Sequence, residues 1–119
     1  MARFKRSEKV GDQIRAEISQ ILLAELKDPR IGFVTITKVA VSDDLRNATV
    51  YYSVFGGVEQ KEASYQGLQS ATGYIKRELG KRMRLKYMPA ITFLFDDSLE
   101  YGEHIEELLR GVKDSGEGN

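Results

Sequence analysis

Residues 70–95 read SATGYIKRELGKRMRLKYMPAITFLF, and three signals are packed into that run. Ala71-Thr72-Gly73 interrupts a helical pattern. A basic helix follows, with Lys76, Arg77, Lys81, Arg82, Arg84 and Lys86 set against one acid, Glu78. Met88-Pro89 closes it, and Ile91 to Phe95 reads as a buried strand. Within the helix Ile75, Leu79 and Met83 recur every four residues and share one side, at about 100° per residue. Arg77, Lys81 and Arg84 fall on the opposite side. The charge is nearly all of one sign, unlike the alternating pattern of a salt-bridged surface helix. Like charges gathered on one flank repel one another, and a polyanion relieves that repulsion. Nucleic acid is therefore the partner class this stretch favours over a merely solvated face.

Outward from it, the chain has 119 residues, enough for one domain with a real core. Without cysteines, disulfides, zinc ribbons and thiol nucleophiles are excluded. No apolar run is long enough to span a bilayer. The start MARFKRSEKV is basic and no apolar stretch follows it, so a secretory signal is not expected. A cytoplasmic protein is the expectation. Net charge is zero, but it is segregated: residues 1–90 carry a net +6 and residues 91–119 a net −6. Screening over about 8 Å at physiological salt lets a basic face persist if the acidic end lies elsewhere.

Arg3, Lys5, Arg6 and Lys9 form a basic lead-in, and Ser7 is a candidate cap for a first helix. Val10, Ile14, Ile18, Ile21 and Leu22 share a face, so this helix is expected over Ser7 to Lys27. Asp28-Pro29 ends it, because the residue before proline avoids helical angles. FVTITKVAV (33–41) and ATVYYSVF (48–55) are rich in β-branched and aromatic residues and read as strands. The polar link between them predicts an antiparallel hairpin. Val50, Tyr52 and Val54 share one of its faces, Tyr51 and Phe55 the other. Core packing is the favoured role for these tyrosines, with base stacking the alternative. Glu59 to Ser70 reads as a second helix with Ala63, Tyr65 and Leu68 as its apolar members, weakened by Gly67. After the strand, Ser98 could cap a short helix with an apolar edge at Ile105, Leu108 and Leu109. The last residues, from Gly111, are polar and expected to be disordered.

Chemistry is sparse. His104 stands alone among glutamates, a poor metal site, and no nucleophile has a base near it. No cofactor, no metal and no catalytic residue is expected.

The order helix, strand, strand, helix, break, helix, strand resembles a type II KH domain. That family clamps RNA backbone with a Gly-x-x-Gly turn between its central helices. This chain has no Gly-x-x-Gly and carries Ala71-Thr72-Gly73 at the matching place. It thereby resembles the bacterial ribosome-binding factor A family, whose KH-like domain has an Ala-x-Gly kink there. Three more stretches extend the resemblance over residues 3–110: Lys27-Asp28-Pro29-Arg30 with Gly32-Phe33, Gly80 to Leu85 with Pro89, and Phe95 to Gly102. It implies an α+β fold with a three-stranded sheet packed against helices on one face. Residues 1–110 would form the RNA-binding domain and 111–119 a tail.

The resemblance also implies a non-catalytic factor that binds the free small (30S) ribosomal subunit late in its maturation. It would assist processing of 16S precursor ribosomal RNA and be linked to growth in the cold. The partners are then 16S rRNA and the free 30S subunit, with no membrane and a monomeric state. Expected contacts are Lys76, Arg77, Lys81, Arg82, Arg84 and Lys86, helped by Arg3, Lys5, Arg6 and Lys9. Ala71, Thr72 and Gly73 would set the interhelical kink, with Gly73 giving backbone freedom and Ala71 a close approach. A general single-stranded RNA module acting on messenger RNA and a small α/β enzyme are the alternatives.

Overall fold

The computed structural model describes residues 5–98, and residues 1–4 and 99–119 lie outside that description. Helix α1 (Arg6–Ala24) forms on the apolar spacing of Val10, Ile14, Ile18 and Ile21, all four buried. Ser7 does not cap it. The helix starts one residue earlier, at Arg6, with Lys5 in the N-cap position; no side chain caps it, and Ser7 lies buried within its first turn. The C-terminus comes at Ala24, short of Lys27. Asp28 is driven to extended angles by Pro29, and its carboxylate instead accepts from the Arg30 N–H at 2.9 Å. This caps a 3-10 turn over Pro29–Ile31 whose Ile31 enters the core.

Strands β1 (Val34–Val41) and β2 (Asn47–Val54) pair antiparallel, with a bulge between Ile36 and Lys38. Helix α2 (Val58–Arg82) follows, and β3 (Ala90–Phe95) returns parallel to β2, giving the order β1-β2-β3. Both helices cover one face. Ile36, Ala48, Val50, Tyr52 and Phe93 point from the sheet into a core completed by Ile14, Ile18, Ile21, Leu68, Ile75 and Leu79. Tyr52 is the aromatic centre, edge-on to Phe93 and Phe95 at 6.4 and 5.8 Å. Tyr51 faces the other way, under the Lys38 ammonium at 5.4 Å.

The two helices anticipated on either side of residues 71–73 are one unbroken helix of 25 residues. Thr72 Oγ1 donates to the Leu68 carbonyl at 2.9 Å, a back-bond that satisfies the hydroxyl inside a helix. Gly73 is exposed, and a Cβ there would meet nothing within 4 Å. Gly67 is the glycine that packing requires. A Cβ there would lie 2.8 Å from Ile31 Cγ2 and 3.1 Å from Arg30 Cβ. Beside it Ser64, fully buried, donates to the Arg30 carbonyl at 3.0 Å. The seam between α2 and the 3-10 turn thus rests on a serine and a glycine. Tyr65, read as part of the apolar face, is 43% exposed.

Candidate nucleic-acid interface

Ile75 and Leu79 are fully buried, and that fixes the rotation of the last two turns of α2. Arg77 and Lys81, four residues apart, must then face outward, and both are exposed. Lys81 Nζ lies 3.2 Å from Glu78 Oε2, a surface pair that leaves its side chain 75% accessible and contributes little. Cations in this last turn also complement the negative end of the helix dipole. Met83 adopts an extended conformation and stops the helix. Arg84 and Lys86, expected on the helix, sit instead in the exit segment leading to Pro89, both exposed. Lys86 Nζ lies 5.6 Å from the centroid of the Tyr87 ring.

Arg82 departs from the expected role. Its guanidinium donates to Glu17 Oε2 at 3.1 Å and to Glu25 Oε1, so it spans two carboxylates of the α1 side. The hydrogen bond to Glu17, then the charge of Glu25, raise its pKa and hold it ionised. Tyr74 donates to the other oxygen of Glu25 at 2.7 Å. That bond, more than Arg82, lowers the Glu25 pKa. Arg82 is a clasp between α1 and α2, and its charge is already neutralised.

A further cation joins the surface from an unexpected place. In the hairpin connection the Ser42 hydroxyl donates to Asp44, and the Leu45 N–H donates to the Ser42 carbonyl at 2.8 Å. Leu45 takes a left-handed φ of 61°, uncommon for a bulky side chain, and packs against the core. Arg46 follows. Its carbonyl accepts from the Ala90 N–H at 2.8 Å, which pins the connection to the start of β3. Arg46, Lys76, Tyr87, Met88 and Ala90 line one cleft of about 490 Å³. Among the described residues no ion pair joins Arg46, Lys76, Arg77 or Arg84 to a carboxylate. Sequence reading passed over Arg46 because it stands in a polar turn. Its only signal was a cation beside a hairpin whose far strand adjoins the basic helix.

Lys5, Arg6 and Lys9 are exposed at the start of α1, and Lys5 lies by Val41 and Asp43 near the same hairpin. Arg3 falls outside the described residues, as do His104 and the tail apolar residues. Ala71 is half-buried against the core, whereas Gly73 has open space around it.

Asp28, Asp44 and Asp96, like Glu25, have lowered pKa values. Each is held chiefly by one hydrogen bond, from Arg30, Ser42, Thr37 and Tyr74 respectively. A general acid at neutral pH needs the opposite shift. Among the described residues no cluster of three acidic or histidine side chains could hold a metal, and no helix is long and apolar enough to cross a membrane.

A family profile described as ribosome-binding factor A matches residues 6–109. The ribosome-binding factor A of Citrifermentans bemidjiense is 51% identical over 115 residues, covering 95% of this chain and 97% of that one. The crystal structure of ribosome-binding factor A from Thermus thermophilus superposes with a TM-score of 0.66 at 25% identity, over 74% of this chain and 93% of that one. Coordinates of the Thermus thermophilus factor fitted into the cryo-EM map of a 30S complex give a TM-score of 0.64 at 24% identity, covering 80% and 97% of the two chains.

Proposed function

The chain belongs to the ribosome-binding factor A family, and from this we propose that it docks on the free small ribosomal subunit through the cations around the end of α2. The relative fitted into a 30S complex supports the subunit as partner. The observation that carries the reading is the set Arg46, Lys76, Arg77 and Arg84, at the C-terminal half of α2 and the segments beside it, none of whose side chains is in an ion pair among the described residues, although Arg46 feels the charge of Asp44 beside it. Lys81, Lys86 and the α1 cations Lys5, Arg6 and Lys9 add to it.

Phosphate contacts position a protein on RNA without reading sequence. Selectivity then comes from the shape of the immature subunit. The factor favours one arrangement of 16S rRNA through higher affinity for it. Tyr87, 67% exposed at the rim of the cleft, offers a ring on which one unpaired base can stack. In this reading the protein acts in the cytoplasm as a monomer and without catalysis. It assists late assembly and processing of 16S precursor rRNA, a step that matters most in the cold. Residues 1–110 make the working domain.

Sedimentation of the tagged protein with cell extract tests this. It should migrate with free small subunits and not with joined ribosomes. Arg77→Glu with Lys81→Glu and Arg84→Glu should abolish that migration while leaving the circular dichroism spectrum unchanged. Unchanged co-migration of the triple variant would remove the surface assignment, and enrichment on messenger RNA would replace the partner.

A further inference from the structure

An acid stands where a polyanion is expected to dock. Asp44 lies two residues before Arg46 and feels its charge. A carboxylate at this place repels phosphate, yet the connection between β1 and β2 is built around it. The Ser42 hydroxyl donates to Asp44 Oδ1 at 2.6 Å, and the same oxygen accepts from the Arg46 N–H at 3.0 Å. The Ser42 hydroxyl oxygen in turn accepts from the Asn47 N–H at 3.0 Å. The Ser42 N–H donates to the Asn47 carbonyl at 2.9 Å and closes the run. The bond from Ser42, then that from the Arg46 N–H, lower the Asp44 pKa, so the carboxyl is ionised at neutral pH.

Between Asp44 and Arg46 stands Leu45, the only non-glycine residue with a positive φ among the described residues. Such a backbone persists only where its surroundings impose it. Glycine or asparagine takes it with less strain, but the leucine side chain is half-buried against the core. Arg46 is therefore anchored from both sides: Leu45 sits in the core, and the Arg46 carbonyl accepts from the Ala90 N–H at 2.8 Å. Closing a hairpin requires none of this, since a two-residue asparagine–glycine turn does it. What the arrangement fixes beyond the turn is residue 46, exposed and lining the cleft with Lys76 and Tyr87.

We propose that Asp44 is a positioning residue for RNA binding: its carboxylate, oriented by Ser42, holds the Arg46 backbone so that the guanidinium is presented to phosphate beside Lys76. This role rests on the cationic-surface reading above and adds an acid to it. An arginine held in advance loses less freedom when it meets its partner. Two opposite effects then meet at one residue. The charge of Asp44 weakens RNA binding, and its oxygen atom strengthens it.

Charge and geometry separate in two variants of the full-length protein, titrated with salt against purified free small subunits. Asp44→Asn keeps the acceptor oxygen and drops the charge. It should keep the parent's slope of log affinity against log salt and bind as tightly or more tightly. Asp44→Ala drops both. Its slope should fall from near −3 to near −2, as in Arg46→Gln, and it should bind about fourfold more weakly than Asp44→Asn at 150 mM salt, from counterion release alone. In the Arg46→Gln background Asp44→Ala should lower the slope no further, because the two residues act as one unit. A purely structural role would lower the melting temperature without moving the slope. Tighter binding or an unchanged slope in Asp44→Ala would overturn the proposal. So would an asparagine variant as weak as the alanine one, or a further loss of slope in the double variant. The two ways of failing are distinct. A parental slope in Arg46→Gln takes Arg46 off the RNA surface, and the positioning role goes with it. A lowered slope in Arg46→Gln beside a parental one in Asp44→Ala removes the positioning role alone.

Discussion

Gly67 and Gly73 lie six residues apart in one helix, and alanine should move stability in opposite directions at the two sites. Either substitution removes a glycine from a helix interior, a gain of up to about 1 kcal/mol. At Gly73 nothing opposes it, because a new methyl meets no atom within 4 Å. At Gly67 the methyl would sit 2.8 Å from Ile31 Cγ2 and 3.1 Å from Arg30 Cβ. Neither neighbour can yield cheaply. Ile31 is 5% exposed, and its turn is held by the Asp28 cap and by Ser64 on the Arg30 carbonyl. Overpacking of this kind costs about 1–3 kcal/mol. Gly67→Ala should therefore be less stable than the parent by about 1 kcal/mol, and Gly73→Ala more stable by somewhat under 1 kcal/mol. In a domain of this size the midpoints of thermal unfolding should differ by roughly 10 °C. Urea melts followed by circular dichroism give the same comparison in free energy. A Gly67→Ala protein as stable as Gly73→Ala would refute the close seam. A destabilised Gly73→Ala would mean that residue 73 needs a backbone only glycine supplies, restoring the kink as a steric requirement.

Acid should unfold the protein through four of the described carboxylates, those whose hydrogen bonds lower their pKa values. Glu25, Asp28, Asp44 and Asp96 all have folded pKa values below their ordinary 4.5 or 3.8, so the unfolded chain takes up protons first. Their contribution is complete above those ordinary values and is lost as pH falls through the folded ones. The urea midpoint should be level from pH 7 to about 5 and decline below about 4.5; Tyr74→Phe should make the decline shallower, and an equally steep decline in that variant would remove Glu25 from the account. Arg82→Gln should lower the melting temperature by loosening α1 from α2. It should also weaken small-subunit binding less than Arg77→Gln does; the reverse order would return Arg82 to the binding surface.

Much of the fold could be read from the chain because its signals are local. The four-residue recurrence of Val10, Ile14, Ile18 and Ile21 marks α1, and Pro29 marks where it cannot continue. The β-branched runs mark the strands, and each of the expected strands is present to within a residue. What escaped reading depends on distance in sequence. Arg82 looked like its neighbours, since Glu17 and Glu25 are 65 and 57 residues away. Ser64 and Gly67 are buried without being apolar, so no hydrophobic period includes them. Gly73 looked like an interruption because glycine lowers helix propensity, yet Ile75 and Leu79 on the same helix bury enough to carry it through. Arg46 became part of the candidate surface only once the hydrogen bond to Ala90 set its turn beside β3.

The cationic end of α2 is the centre of the account, and the salt dependence of small-subunit binding tests it most directly. Four phosphates held by Arg46, Lys76, Arg77 and Arg84 predict a slope of log affinity against log salt near −3, about a fifty-fold loss between 50 and 200 mM. Arg77→Gln with Arg84→Gln should halve that slope. Affinity independent of salt, or a slope the double variant leaves unchanged, would contradict it.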